Sequence, residues 1–191
     1  MTEEKPAFSE KLERPTLDTS DCLKRFKEEL GLLGVDCHVE SDGEAVKQRL
    51  ALLLEGKSIL SWDATHLPYD AGGILQGRPV VFGRDDRTAQ ATADIGLTGC
   101  DAAIAETGSL VLISAEGKAR TASLLPFEHV AIVRRSEIYY SMAEFFEKKH
   151  KEVARASYLN IITGPSRTAD IELSLTLGVH GPGKLTVVIG P

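Results

Sequence analysis

Three short stretches hold the residues of this chain best equipped for chemistry. The first is NIITGPSRTADIE, residues 160–172. An apolar run there stops at Gly164-Pro165 and gives way to Ser166, Arg167, Thr168 and Asp170. A guanidinium is a planar fork of donors matched to a carboxylate or a phosphate. The flanking hydroxyls can donate as well, and the pattern turns helical again through Ile171 and Leu173. Amides at the start of such a helix would add partial positive charge. The joint suits an anion. Each group also has a plainer use, since Ser or Thr before a helix is often only a cap and an arginine there can pair with Asp170 or Glu172.

The second stretch, AETGS (105–109), sets Glu106 at the end of an apolar run, followed by Thr107 and Gly108. A carboxylate so placed can act as nucleophile or general base, or it can simply fix a surface turn. The third, GVHGPGK (178–184), carries His180 next to Gly181. Imidazole changes charge near neutral pH and can move protons or bind a ligand, though a hydrogen-bonded turn histidine would read the same way. Glu106 and His180 are therefore the candidate catalytic groups. The candidate ligand-binding residues are Thr107, Gly108, Gly164, Ser166, Arg167, Thr168, Asp170 and Gly181. His129, just after LPFE, reads as a strand-edge residue. Asp63, His66 and Asp70 in WDATHLPYD are irregularly spaced, and no metal site is expected from them.

The elements that must position these groups alternate in type. Helical spacing runs from about Asp18 through Leu30, and a short strand from Val35 to Val39. A helix follows over 44–54, then strands at 58–62 and 79–83 around a loop, and a helical segment at 85–94. Two apolar runs at 101–114 break at Thr107-Gly108. HVAIVRR (129–135) is a strand, YYSMAEFFEKKHKEV (139–153) a helix with Met142, Phe145 and Phe146 facing in, and KLTVVIG (184–190) the last strand. Strands alternating with helices of this length imply βαβ units. The expected fold class is α/β, a three-layer sandwich with a mostly parallel, Rossmann-like sheet. Ligands of such sheets bind beyond the carboxyl ends of the strands, so the three stretches are expected to converge there. Residues 1–18 read as a polar tail and 19–191 as one domain. GxxxxGK[ST] and GxGxxG are absent from the strand–helix joints, which removes the two commonest nucleotide-phosphate loops.

Composition narrows the function classes. The chain has 191 residues, 42% hydrophobic and 26% charged, with a net charge of −6, so no nucleic-acid or acidic-membrane surface is expected. No apolar run approaches the roughly 18 residues of a membrane helix, and the N-terminus lacks the apolar core of a signal peptide. A cytoplasmic protein is the expectation. Cys22, Cys37 and Cys100 are the only cysteines. None is spaced CxxC, so no iron–sulfur ligands are expected in this chain, nor a covalently bound cofactor.

The blocks GCDAAIAETGSLVL, LLPFEHVAIV, ITGPSRTADIE and LGVHGPGKLTVVI resemble, in this order, the signature blocks of the LUD-domain family in its short form. The likeness runs over roughly residues 19–190 and is densest from 94 onward. Ser109 and Thr163 are small departures within AETGS and ITGPS. The resemblance implies a fold similar to the phosphosugar isomerase/CoA-transferase superfamily. It also implies a part in oxidising L-lactate to pyruvate beside two iron–sulfur partner proteins, with a small anionic molecule bound at the strand ends. Glu106-Thr107-Gly108 is similar to the Glu-Asn-Gly turn of CoA transferases, with Thr107 in place of Asn. A CoA-transferase-like or ligase-like enzyme using Glu106, or a non-catalytic structural subunit, are the alternatives.

Overall fold

A computed structural model of the chain describes residues 18–169, 175–178 and 180–191. Helix α1, Thr19–Leu32, begins where the Asp18 side chain accepts the Asp21 amide at 2.9 Å. It buries Cys22, Phe26 and Leu30, one residue per turn on a single stripe. The chain continues through β1 (Asp36–Val39), α2 (Gly43–Leu53), β2 (Ile59–Ser61) and two 3-10 segments (Ala64–His66 and Pro68–Leu75). Next come β3 (Val80–Phe82), α3 (Arg87–Ala91), β4 (Ile95–Gly99), β5 (Ala102–Ile104), β6 (Ser109–Ser114) and a 3-10 turn at Arg120–Ser123. Then follow β7 (Glu128–Arg134), β8 (Ile138–Tyr139), α4 (Met142–Arg155), β9 (Tyr158–Ile162), β10 (Arg167–Ala169), β11 (Leu175–Leu177) and β12 (Lys184–Gly190).

Six strands form one sheet in the order β1-β12-β7-β4-β2-β3, and every pairing in it is parallel. Its central strands are buried on both faces, which is why HVAIV and TVVI read as continuous apolar runs. Four further strands make a mixed sheet, β8-β5-β6-β9, and β10 pairs antiparallel with β11. The mixed sheet alternates as a two-sided wall should. Ala103, Ala105, Leu110 and Leu112 join the main core, while Ala102, Ile104 and Val111 cluster with Phe145 of α4. Phe145 is fully buried, but its neighbour Phe146 is 39% exposed.

Two glycines fix which connection covers which face. A Cβ on Gly96 would overlap the Ala122 carbonyl, whereas one on Gly99 would come within 3.1 Å of the His66 carbonyl and 3.3 Å of Pro68. Positions 96 and 99 in β4 point to opposite faces. The 64–75 segment after β2 and the 120–123 turn before β7 therefore lie on opposite sides of the sheet. Helices are not the only cover: a hairpin-built sheet sends Ala103, Ala105, Leu110 and Leu112 into the same core as the parallel strands.

Three readings of the sequence are corrected. Helix α3 is five residues long, because its cap Asp86 starts it late and Ile95–Gly99 continues as a central strand. His129 lies in β7, which has β12 and β4 on its two sides, so it is interior and not at a strand edge. Beyond Gly164-Pro165 the chain enters strand β10 at Arg167, paired with β11, so helix-start amides do not serve this joint. Ile171 and Leu173 lie outside the described residues. No helix among the described residues is long and apolar enough to cross a membrane.

Candidate functional site

Leu33 caps the carboxyl end of α1, and two of the three loops touch it. Gly108 has φ +66°, and a Cβ there would stand 3.0 Å from both Glu29 Cβ and Leu33 Cδ1. Gly164 has φ +78°, and its Cβ would stand 3.2 Å from Leu33 Cβ. Both positions need the left-handed backbone and the missing side chain that glycine supplies. The strand register explains their proximity: Leu110 of β6 pairs with Ile162 of β9, so the turn before β6 and the loop after β9 emerge side by side. A row of hydroxyls stitches them together, Thr107 Oγ1 to Ser109 Oγ at 2.7 Å and Ser109 Oγ to Thr163 Oγ1 at 2.8 Å. Arg167 Nη2 donates to the Leu33 carbonyl at 2.6 Å, a cation at a helix carboxyl end.

The third loop wraps Ser166. The Ser166 amide donates to the Pro182 carbonyl at 2.8 Å, and the Gly178 amide donates to the Ser166 carbonyl at 3.0 Å. The Phe127 ring lies over both ends of this loop. A Cβ on Gly178 would come within 2.8 Å of it, and one on Gly183 would overlap it. The Lys184 amide donates to the Phe127 carbonyl at 3.1 Å, and Lys184 Nζ reaches Glu128 at 2.8 Å. Lys57 reaches the same carboxylate at 2.6 Å. Burial pushes Glu128 up, but the hydrogen bonds from Lys184 and Lys57 outweigh it and hold the carboxyl below its ordinary value.

The result is a cavity of about 420 Å³ whose wall includes Leu33, Thr163, Gly164, Ser166, Arg167, His180 and Gly181. That volume is within the usual range for a small-molecule site. Arg167, Ser166, His180, Gly164 and Gly181 are thus brought together. Glu106 is not part of this wall: its Oε1 accepts the Met142 amide at 3.0 Å, at the first turn of α4, and its own amide donates to Tyr140. Gly108 stands against Glu29 and Leu33 at the end of α1, and Thr107 is linked to Thr163 of the wall through Ser109. The side chain of Thr168 and all of Asp170 lie outside the described residues. Sequence reasoning missed Leu33 and Phe127, and it met Ser109 and Thr163 only as departures within AETGS and ITGPS, not as the hydroxyl row. Phe127 had a local signal of its own, an aromatic just before the strand that follows LPFE; Leu33 had none.

The expected location is also corrected. The cavity opens at the amino ends of β7 and β12, whose preceding residues Ser123, Leu124 and Gly181-Pro182 line it. It meets a carboxyl end only at β9 of the mixed sheet. The reason is connectivity, since the loop 178–183 precedes its strand instead of following it. Behind it, His129 is fully buried with Nε2 2.9 Å from Thr98 Oγ1 and no partner for Nδ1 among the described residues. Burial lowers this imidazole to about 4, so it is neutral near pH 7. Cys100 is a structural thiol, pushed up to about 12 by burial and donating to the Ala102 carbonyl. Asp63 and His66 both stand near Gly117, but among the described residues no three His, Cys, Asp or Glu side chains gather as a metal site would need, and Asp63 pairs with Arg84.

A parallel six-stranded sheet, backed by a mixed sheet and carrying glycine-built loops around one cavity, defines an α/β protein of the Rossmann-like class. Within that class the chain belongs to the LUD domain family, whose pattern matches residues 23–189. It is 36% identical over 142 residues to lactate utilization protein C of Shouchella clausii, an alignment covering 70% of this chain and 62% of that one. It is 29% identical over 187 residues to lactate utilization protein C of Geobacillus thermodenitrificans, covering 88% and 78%. The chain thus spans less than two thirds of the Shouchella clausii protein, and 56% of lactate utilization protein C of Anoxybacillus flavithermus. A crystal structure of a DUF162 family protein from Deinococcus radiodurans superposes with a TM-score of 0.74 at 24% identity, covering 92% of this chain and 100% of that one. That likeness establishes the fold.

Proposed function

We propose that this chain is the lactate utilization protein C-like component of a cytoplasmic system that oxidises L-lactate to pyruvate, and that the Leu33 cavity holds a small anion of that system. A role in lactate utilization is supported by the names of the relatives. The observation that carries the ligand reading is the wall itself: Arg167, Ser166, Thr163 and His180 line one small cavity. A carboxylate there would meet the arginine fork and hydroxyl donors, while His180 stands where a proton could be exchanged. Oxidising lactate releases two electrons and two protons. The reading assigns the electrons to two iron–sulfur partner proteins, as the family resemblance implies.

The acyl-transfer alternative needs a Glu106 carboxylate that faces its substrate. Its hydrogen bond to the Met142 amide favours an anchoring role for α4 instead. The test is reconstitution with the iron–sulfur partners and an assay of lactate-dependent dye reduction. Arg167→Ala is expected to lower the rate by about tenfold to a hundredfold, the loss of one or two charge-assisted hydrogen bonds, with a melting temperature within a few degrees of the parent. A variant as active as the parent would remove Arg167 from the site.

A further inference from the structure

The opposite edge of the parallel sheet carries a second place for a ligand. The connections leaving β2 and β4 run to opposite faces, since Gly99 is covered by the 64–75 segment and Gly96 by the 120–123 turn. Strands β2 and β4 are neighbours, so the carboxyl ends of this pair are a topological switch point, the crevice where open parallel sheets bind ligands. Beside it, between the end of β3 and the turn after β6, is a cavity of about 320 Å³ lined by Asp63, Gly83, Arg84, Glu116 and Gly117.

We propose that this crevice binds a small hydroxylated oxyanion, with the anionic head on Arg84 and a hydroxyl on Asp63. Both contacts from Arg84 to the Asp63 oxygens, at 2.9 Å each, are made through Nη1 alone. Among the described residues the Nε–Nη2 edge has no partner, and that edge is one of the two that grip an oxyanion with parallel hydrogen bonds. The Phe82 ring, 4.8 Å from the guanidinium carbon, supports the group from one side. Asp63 is thereby held next to the cation, with Glu116 across the cavity, and carboxylates accept from a substrate hydroxyl. The walls are pre-set. The Asp63 amide donates to the Gly117 carbonyl at 2.8 Å, and Trp62 Nε1 donates to the Ala119 carbonyl at 3.3 Å. Lys118 pairs with Asp101 and lies 4.8 Å over the Trp62 ring. A Cβ on Gly83 would overlap Ala119 and one on Gly117 would stand 2.7 Å from His66, so both glycines let the walls close. This site makes no use of the Leu33 cavity, and its fate is independent of the function proposed above.

The test is a set of titrations of the full chain with inorganic phosphate, glycerol 3-phosphate and L-lactate, followed through the amide resonances of Gly83 and Gly117. Glycerol 3-phosphate, or L-lactate if the site takes a carboxylate, is expected to move both resonances at lower concentration than phosphate. Arg84→Ala should weaken that response at least tenfold, while Arg167→Ala leaves it at the parent value. Asp63→Asn should leave phosphate binding no weaker and erase the preference for the hydroxylated probe. Resonances that stay still with all three probes, or an Arg84→Ala response equal to the parent's, would overturn the site. An unchanged preference in Asp63→Asn would overturn the part given to Asp63.

Discussion

At the amino edge of the parallel sheet the loops are tied mainly through backbone. Ser166 and Pro182, Gly178 and Ser166, and Lys184 and Phe127 exchange amide–carbonyl bonds, and glycines take the contacts with Leu33 and Phe127. At the carboxyl edge the tie beside the cavity is an exposed ion pair, Asp63 with Arg84, whereas the amino edge's own pairs, Lys184 and Lys57 with Glu128, hold a carboxylate that is only 10% exposed. Backbone ties hold a loop in one shape over a wide range of salt and pH. Exposed ion pairs are worth little and are screened, so they leave their charges available to a ligand. The difference separates two designs. In one, a rigid frame presents one arginine and one histidine; in the other, charges restrain each other until a ligand competes.

The largest expected effect comes from breaking the frame at its root. Gly96→Ala drives a methyl into the Ala122 carbonyl, a backbone atom held against the sheet next to Ser123 of the cavity wall. Overpacking of this kind costs about 3 kcal/mol or more, to be read from urea unfolding. Gly181→Ala is the control, since its nearest atom would be Ser166 Cβ at an ordinary 3.6 Å. It should change stability by less than about 0.5 kcal/mol.

Acid comes next, through His129. Its folded value of about 4 lies below the ordinary 6.5, so the unfolded chain binds the proton first. Stability is full above 6.5 and falls as the pH drops towards 4, by about 3 kcal/mol in all at 1.36 kcal/mol per unit. Glu128, also held low, loses its own share only as the pH falls below its ordinary 4.5. Unfolding curves at pH 7 and pH 4.5 should differ strongly in the parent and much less in His129→Gln. Equal slopes would mean that the imidazole is not the titrating group.

Much of this frame was legible in the chain. Lys184–Gly190 was readable to the residue, because a buried parallel strand is a bare apolar run. IGLTG was not, since two glycines and a threonine carry no strand signal apart from their neighbours β2 and β7. The hairpin sheet was hidden for a similar reason: local pattern shows two apolar runs but not that they pair with each other and with β9. In the site, glycines marked all three loops and hydroxyls the first two. The partner of Glu106 was illegible, because Met142 is 36 positions away and offers only its amide. The amino-edge location was illegible too, being a property of strand order.

The smaller effects sharpen the contrast between the edges. Arg84→Ala removes an exposed pair, the arginine 65% exposed, and should cost under about 1 kcal/mol. Glu106→Gln keeps an oxygen for the Met142 amide and loses only the charge at the start of α4. It should cost about 0.3–1 kcal/mol and leave lactate-dependent growth intact. Growth lost with an unchanged melt would return Glu106 to catalysis.

The most direct test of the amino-edge site is a pyruvate titration of the full chain, followed at the amide resonances of Gly164 and Gly181. Both glycines line the cavity with Arg167. Both resonances should move along one saturating curve, and Arg167→Ala should shift that curve to about tenfold higher concentration or beyond, while Arg84→Ala superimposes on the parent. Silent Gly164 and Gly181 resonances, or an Arg167→Ala curve that overlays the parent's, would contradict it.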